Sequence, residues 1–314
     1  MPDFWLCHSK PADFERQIRR PKGAVAMIDP PSCQAVEATF AEFCRGAGQL
    51  TVLTGAGISA ESDIPTFRGP EGYWTVGSRE YHPQEMATHA MFAHQPYEVW
   101  KWYLYRKGVC ERAAPNKGHL ALVGLEKLLR DRFNLITQNV DNLHLRAGQS
   151  PLHTFEIHGN IFFVRCAQEC TDAVYPMPAG LKGKARQEEI SDRERQLLAC
   201  PRCGGLLRPH VLWFDETYNE THYRYHSVLS IALRTDLLLV VGTSGATNLP
   251  NQVAWLVLQN GGCIIDVNIE KNLFSDLARE SSGGGFIQAP SSQQLPRLLR
   301  ICQASLNDSS TPNE

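Results

Sequence analysis

Four of the ten cysteines stand as two close pairs: Cys166 and Cys170 in CAQEC and, after a 29-residue gap, Cys200 and Cys203 in CPRC. Two such pairs can close a tetrahedron of thiolates around one ion at about 2.3 Å per Zn–S bond, and CPRCGG is the knuckle such sites use. Four sulfur ligands leave no open coordination position, so a zinc ion held here is structural, one per chain, and does not catalyse. The plain alternative is four unrelated thiols in a reducing compartment. The paired spacing favours the metal.

Other residues suit other chemistry. TGAGIS places Gly55 and Gly57 where backbone N–H groups can approach a pyrophosphate, although two glycines alone also describe an ordinary turn. His158, in EIHGN, is of a residue type that titrates near neutrality and suits general-base work. Arg106 sits in WKWYLYRKG, three residues from Tyr103 and so on the same helical face. Either it is a surface charge snorkelling from a packed helix, or it is a fixed cation awaiting an anion in an apolar channel.

The elements that must position these groups follow from periodicity. AVEATFAEFCRGAG reads as an amphipathic helix closed by glycine. QLTVLTGAGIS, FNLITQNV, DLLLVVGTS and GCIIDVNI are short, apolar, β-branched runs ending in polar or glycine turns, with helix-like segments between them. That is the pattern of a parallel sheet buried on both faces. Ligands bind beyond the carboxyl ends of such strands, where TGAGIS, TQNVDN, GTSGATN and DVNIEKN fall. Between about 165 and 207, strand signals give way to the paired cysteines and a charged helical stretch, ARQEEISDRERQLLA. The expected fold class is α/β: a Rossmann-like parallel sheet domain with an inserted small zinc-binding module.

The 314 residues are 43% hydrophobic and 20% charged, with a net charge of −2. This balance suits a globular chain and gives no general attraction to nucleic acid or anionic membranes. No apolar run reaches the roughly 18 residues of a transmembrane span, and MPDFWLCHSK lacks a signal-peptide pattern. A cytoplasmic location is expected; the oligomeric state is not readable.

The order of the motifs carries a family resemblance. GAGISAES, PTFRG, TQNVDNLH, the histidine of EIHGN, both cysteine pairs, LRPHVLWF, GTS and VN follow one another over about residues 45–300. In this the chain resembles a sirtuin, a Sir2-type NAD-dependent protein lysine deacylase. The resemblance implies NAD as co-substrate. The bond to nicotinamide breaks, the acyl oxygen of a modified lysine attacks the ribose C1′, and a histidine activates the ribose hydroxyl pair. The acyl group then leaves on ADP-ribose.

The resemblance also implies roles for residues. His158 would be the base. Asn139 and Asp141 would hold the nicotinamide carboxamide and its pocket, with Gln138 close to the ribose and Phe67 shielding its reacting face. Further cofactor contacts would come from Gly55, Ala56, Gly57, Glu61, Arg68 and Trp74, and from Gly242, Thr243 and Ser244 at the phosphates or ribose. Asn268 and Glu270 would serve the adenosine end, and Ser291 the adenine. Val211, Leu212 and Phe214 would line the acyl-lysine channel, with the substrate peptide adding as a strand. The implied organisation is an N-terminal extension (1–32), a catalytic domain (33–300) and a polar tail (301–314). The nucleotide-binding part covers 33–164 and 208–300, and the zinc module 165–207.

MATHAMFAHQPYEVWKWYLYR further resembles one branch of the family, in which a tyrosine and an arginine at this spacing select succinyl, malonyl and glutaryl groups. Tyr103 and Arg106 would take those roles, and Ala87 would leave room for the longer acyl chain. Asp63 and Asp215 replace usual glycines, and GTSGATNLP departs from the family after GTS. The alternatives are NAD hydrolysis or ADP-ribosyl transfer, and an idle NAD-sensing module.

Overall fold

The computed structural model describes residues 32–65, 74–76 and 79–308, with the backbone alone at Trp74 and Thr75. Six strands form one sheet in the order β11-β10-β9-β1-β4-β5, every pair parallel. They are β1 (Leu50–Thr54), β4 (Phe133–Thr137), β5 (Thr154–Glu156), β9 (Leu237–Val241), β10 (Cys263–Asn268) and β11 (Gly285–Gln288). A hairpin of β2 (Trp74–Val76) and β3 (Arg79–Tyr81) stands apart. A second, antiparallel sheet joins β7 (Val174–Pro176), β6 (Gly159–Cys166) and β8 (Leu207–Val211). The structure is thus the expected α/β arrangement, with the four cysteines on a small antiparallel module.

The apolar runs sort their side chains by the two-residue period of a strand. Leu50 and Val52, like Leu237, Leu239 and Val241, enter one core, while Leu53, Leu238 and Val240 enter the core on the opposite face. The first face is covered by α1 (Cys33–Arg45), α2 (Lys117–Leu129) and α3 (Ser291–Asp308); Val36, Phe40, Leu122 and Leu298 are fully buried there. The helices Tyr225–Ala232, Asn248–Gln259 and Leu273–Glu280 cover the other face with Val228, Val253 and Phe274. Each such buried side chain contributes about 1.5–3 kcal/mol.

A third core belongs to the module and to the long helix Pro96–Arg112, where Trp100, Trp102, Tyr103 and Leu104 meet Val164, Leu207 and Trp213. The aromatic crowd in this helix is therefore packing. The charged stretch ARQEEISDRERQLLA forms only a short helix, Asp192–Gln196, started by a Ser191–Glu194 capping box. Strands β5 and β11, of three and four residues, are too brief for periodicity to announce.

Candidate active site

At the carboxyl end of β1 the chain turns through Gly55 into the short helix Ala56–Ala60. The turn after β9 lies directly against it. Gly55 N–H donates to Val241 O (3.0 Å) and Gly57 N–H to Gly242 O (2.8 Å). A Cβ on Gly57 would stand 2.7 Å from Gly242 Cα, and Gly242 itself has φ +60°. Glycine is required because two backbones touch, which leaves a cradle with no side chain over it. Gln138 spans the loops after β4 and β9: its Nε2 donates to Thr243 Oγ1 (2.8 Å) and its Oε1 accepts from Thr247 Oγ1 (2.8 Å). Asn268 Nδ2 donates to Thr243 O (2.9 Å). Ser244 and Glu270 are exposed at the same sheet edge.

Beneath this edge lies a small pocket lined by Ala56, Ser59, Ile64, Arg106, Asn139 and Asp141, among others. Asn139 Nδ2 is held by Gly55 O (3.0 Å) and Ser59 Oγ (3.1 Å), which leaves its carbonyl oxygen for a visiting amide. Asp141 accepts from Ser59 Oγ (2.7 Å) and from Leu143 N–H (2.9 Å). Burial raises its carboxyl above the usual carboxylate range, against the pull of those bonds and of the Arg106 and Arg146 charges. Ser59 thus orients both groups, a role the sequence did not signal beyond its place in GAGIS.

His158 follows β5 and is partly buried. Its Nδ1 lies 3.0 Å from Gln138 O. A carbonyl can only accept, so Nδ1 carries the proton and Nε2 keeps the lone pair. Desolvation lowers the imidazole to about 4, with the Gln138 carbonyl acting in the other direction. A neutral imidazole with its lone pair on Nε2 is what a general base needs. Nε2 itself sits 2.8 Å from Tyr218 Oη, a contact the sequence gave no reason to expect.

Pairing of β6 with β8 brings LRPHVLWF beside this base: Gly159 opposes Val211, and Leu212 N–H donates to His158 O (2.9 Å). Val211 is buried and Leu212 half-buried, while Phe214 is 56% exposed. Phe214 N–H donates to the carbonyl of buried Ala87 (2.9 Å). Tyr103 is buried, its hydroxyl accepting from Trp213 Nε1 (2.9 Å). Arg106, half-buried, holds its guanidinium 5.3 Å above the Trp102 ring while lining the pocket with Asn139 and Asp141.

Glu61 and Ser291 meet each other. Ser291 Oγ donates to Glu61 Oε1 (2.9 Å), as does Ser292 N–H (3.0 Å), and the Ser292 hydroxyl bonds the second oxygen. In this arrangement the pair starts α3. Trp74 opposes Tyr81 in the hairpin; Phe67 and Arg68 lie outside the described residues. The two aspartates that replace glycines have local reasons. Asp63 has φ +61°, a conformation that Asp tolerates better than most residues. Asp215 accepts from His89 N–H (2.7 Å) and Ala90 N–H (3.1 Å), supporting the start of the helix His89–His94.

The four cysteine sulfurs lie within 4.8 Å of one another, with Cys166–Cys203 at 3.6 Å and Cys170–Cys200 at 3.7 Å. A tetrahedron of 2.3 Å bonds has edges of about 3.8 Å, so the set fits one zinc ion. The backbone N–H groups of Cys203 and Arg202 turn to Cys200 and draw its thiol down to about 7, while desolvation and the neighbouring cysteines push Cys170 up to about 12, a repulsion that a bound metal would relieve.

Comparison with known proteins agrees with this geometry. The Sir2 family profile matches residues 55–248. NAD-dependent protein deacylases of Leptospira interrogans (serovar Lai) and Pyrococcus abyssi are each 40% identical, over 80% and 79% of this chain and 92% and 90% of their own lengths. A Sir2 homologue solved as a complex with NAD superposes with a TM-score of 0.70 at 32% identity, over 86% of this chain and 94% of that one. A Sir2 homologue mutant with ADP-ribose gives the same score and identity. With its glycine cradle, amide pocket and paired cysteines in the family's order, this chain belongs to the Sir2 family.

Proposed function

We propose that the chain removes acidic acyl groups (succinyl, malonyl or glutaryl) from lysine side chains of proteins in the cytoplasm, consuming NAD. As a Sir2-family enzyme it is an NAD-dependent protein deacylase that acts on acyl-lysine, with zinc as a structural ion. When bound, NAD supplies a ribose carbon that loses nicotinamide and becomes an acceptor for the acyl oxygen. The cradle of Gly55, Ala56, Gly57, Gly242 and Thr243 receives the phosphates against bare backbone, the N–H groups of Gly55, Gly57 and Gly242 being held by the carbonyls of Val241, Gly242 and Val267. Asn139 and Asp141 hold the carboxamide, Ser59 holding both. His158 takes a ribose hydroxyl proton at Nε2, while Nδ1–H stays on Gln138 O. Val211 and Leu212 exclude water from the acyl chain. The remaining cofactor roles, those of Glu61, Phe67, Arg68, Trp74, Ser244, Asn268, Glu270 and Ser291, rest on motif order.

The acyl preference rests on one observation: the Arg106 guanidinium lines the same pocket as Asn139 and Asp141, on the helix whose Tyr103 touches Trp213. A partly desolvated guanidinium favours a substrate carboxylate and gains nothing from a methyl group. The test is nicotinamide release with matched succinyl-lysine and acetyl-lysine peptides. Arg106→Met should raise KM for the succinyl peptide at least about tenfold more than for the acetyl peptide. Equal effects on both would return Arg106 to a packing role. Detection of O-acyl-ADP-ribose separates deacylation from NAD hydrolysis or ADP-ribosyl transfer.

A further inference from the structure

We propose that Tyr218 is a positioning residue for His158, a latch whose hydroxyl occupies the base's Nε2 in the free enzyme and yields it to the NAD ribose. The inference rests on the reading of His158 as base. With Nδ1–H committed to Gln138 O at 3.0 Å, the only ring atom able to accept a proton is Nε2. The Tyr218 hydroxyl lies 2.8 Å from it and must be the donor. An imidazole nitrogen has one in-plane lone pair. It cannot take a ribose hydroxyl proton while bonded to the phenol, so the two oxygens compete for one position.

The latch is supported from behind. The Tyr218 and His158 ring planes lie 30° apart (centroids 5.9 Å), Tyr218 stacks on Tyr225 (6.3 Å, 21°), and His226 packs edge-on against Tyr225. The nearby acids face elsewhere: Glu156 accepts from Asn160 Nδ2 (2.8 Å), and Asp141 accepts from Ser59 and Leu143. In the free enzyme the phenol satisfies a partly buried acceptor that would otherwise be left bare. It also holds the ring plane where the ribose will arrive, and no covalent step is involved.

Release of the latch gives a split that simple packing does not. The phenol donates to the neutral imidazole and can turn to accept Nε2–H from the cation, so its removal alters the protonation balance of the base in the free enzyme, where the contact exists. In Tyr218→Phe the acid limb of kcat/KM for NAD should move by about 0.5–1 pH unit, the worth of one hydrogen bond. The acid limb of kcat reports the loaded enzyme, where the ribose already holds Nε2, and should stay in place. Both limbs unmoved, or both moved together, would overturn the latch. In the unmodified protein, a downfield Tyr218 hydroxyl proton in the NMR spectrum should vanish on saturation with NAD; its persistence also overturns the proposal, whether or not the variant folds. His158→Ala is measured alongside. If it retains acyl transfer, the base reading itself fails, which an unshifted Tyr218→Phe profile does not touch.

Discussion

Ser59 Oγ touches both Asn139 and Asp141, so one hydroxyl fixes two groups of the amide pocket. Ser59→Ala should lower kcat/KM for NAD by about tenfold and stability by about 1–3 kcal/mol, because two buried partners lose a bond at once. Steady-state kinetics with a denaturant melt would check both. His158→Ala should cost at least about a hundredfold in acyl transfer with the fold retained and stability lowered by about 1–3 kcal/mol, because Gln138 O and Tyr218 Oη each lose a partner. Glu156 gives a pH signature: burial raises its carboxyl to about 7, against the hydrogen bond from Asn160 and with some help from Asp141. The folded protein then binds a proton that the unfolded chain has released. This one contribution to stability is fully present below about pH 4 and falls by up to about 3 kcal/mol as pH rises to 7. Glu156→Gln should flatten that decline, as melts at several pH values would reveal. At this scale the sequence was legible where motif order named residues, as with Asn139 and His158. It was silent on Ser59 and Tyr218, whose importance lies in partners 80 and 60 residues away.

Among the elements, the four longer sheet strands were readable because each is a continuous apolar run, buried on both faces. The strands β5 and β11 were not, nor was the short reach of the helix at 192–196, whose surrounding charges looked helical but pair locally through Lys184, Glu188 and Glu194. The helix His89–His94, N-capped by its neighbour Thr88, takes further support from Asp215, 126 residues away, which accepts from His89 and Ala90 N–H. Removing that carboxylate in Asp215→Ala should cost about 1 kcal/mol. Because Phe214 N–H also holds Ala87 O, the loosened segment should raise KM for peptide more than KM for NAD. An equal rise in both would place the carboxylate's influence elsewhere.

Over the whole molecule, three separate cores divide the work: two on the sheet's faces and one in the module with the helix Pro96–Arg112. Removing zinc with a chelator, or changing Cys200→Ser, should open the module's core first and abolish deacylation, while the sheet's amides stay protected from hydrogen exchange. Protection lost everywhere together would mean that the cores melt as one. The carboxylate of Glu61 adds a different kind of link. It staples the first turn of α3 to the end of the short helix Ala56–Ala60 that follows β1. Helix α3 lies along α1 and α2, and its opening residues bond the carboxylate that ends the short helix carrying Ala56 and Gly57. Filling the cradle should therefore quieten the tail, and slowed amide exchange at 291–294 would serve as a remote gauge of occupancy.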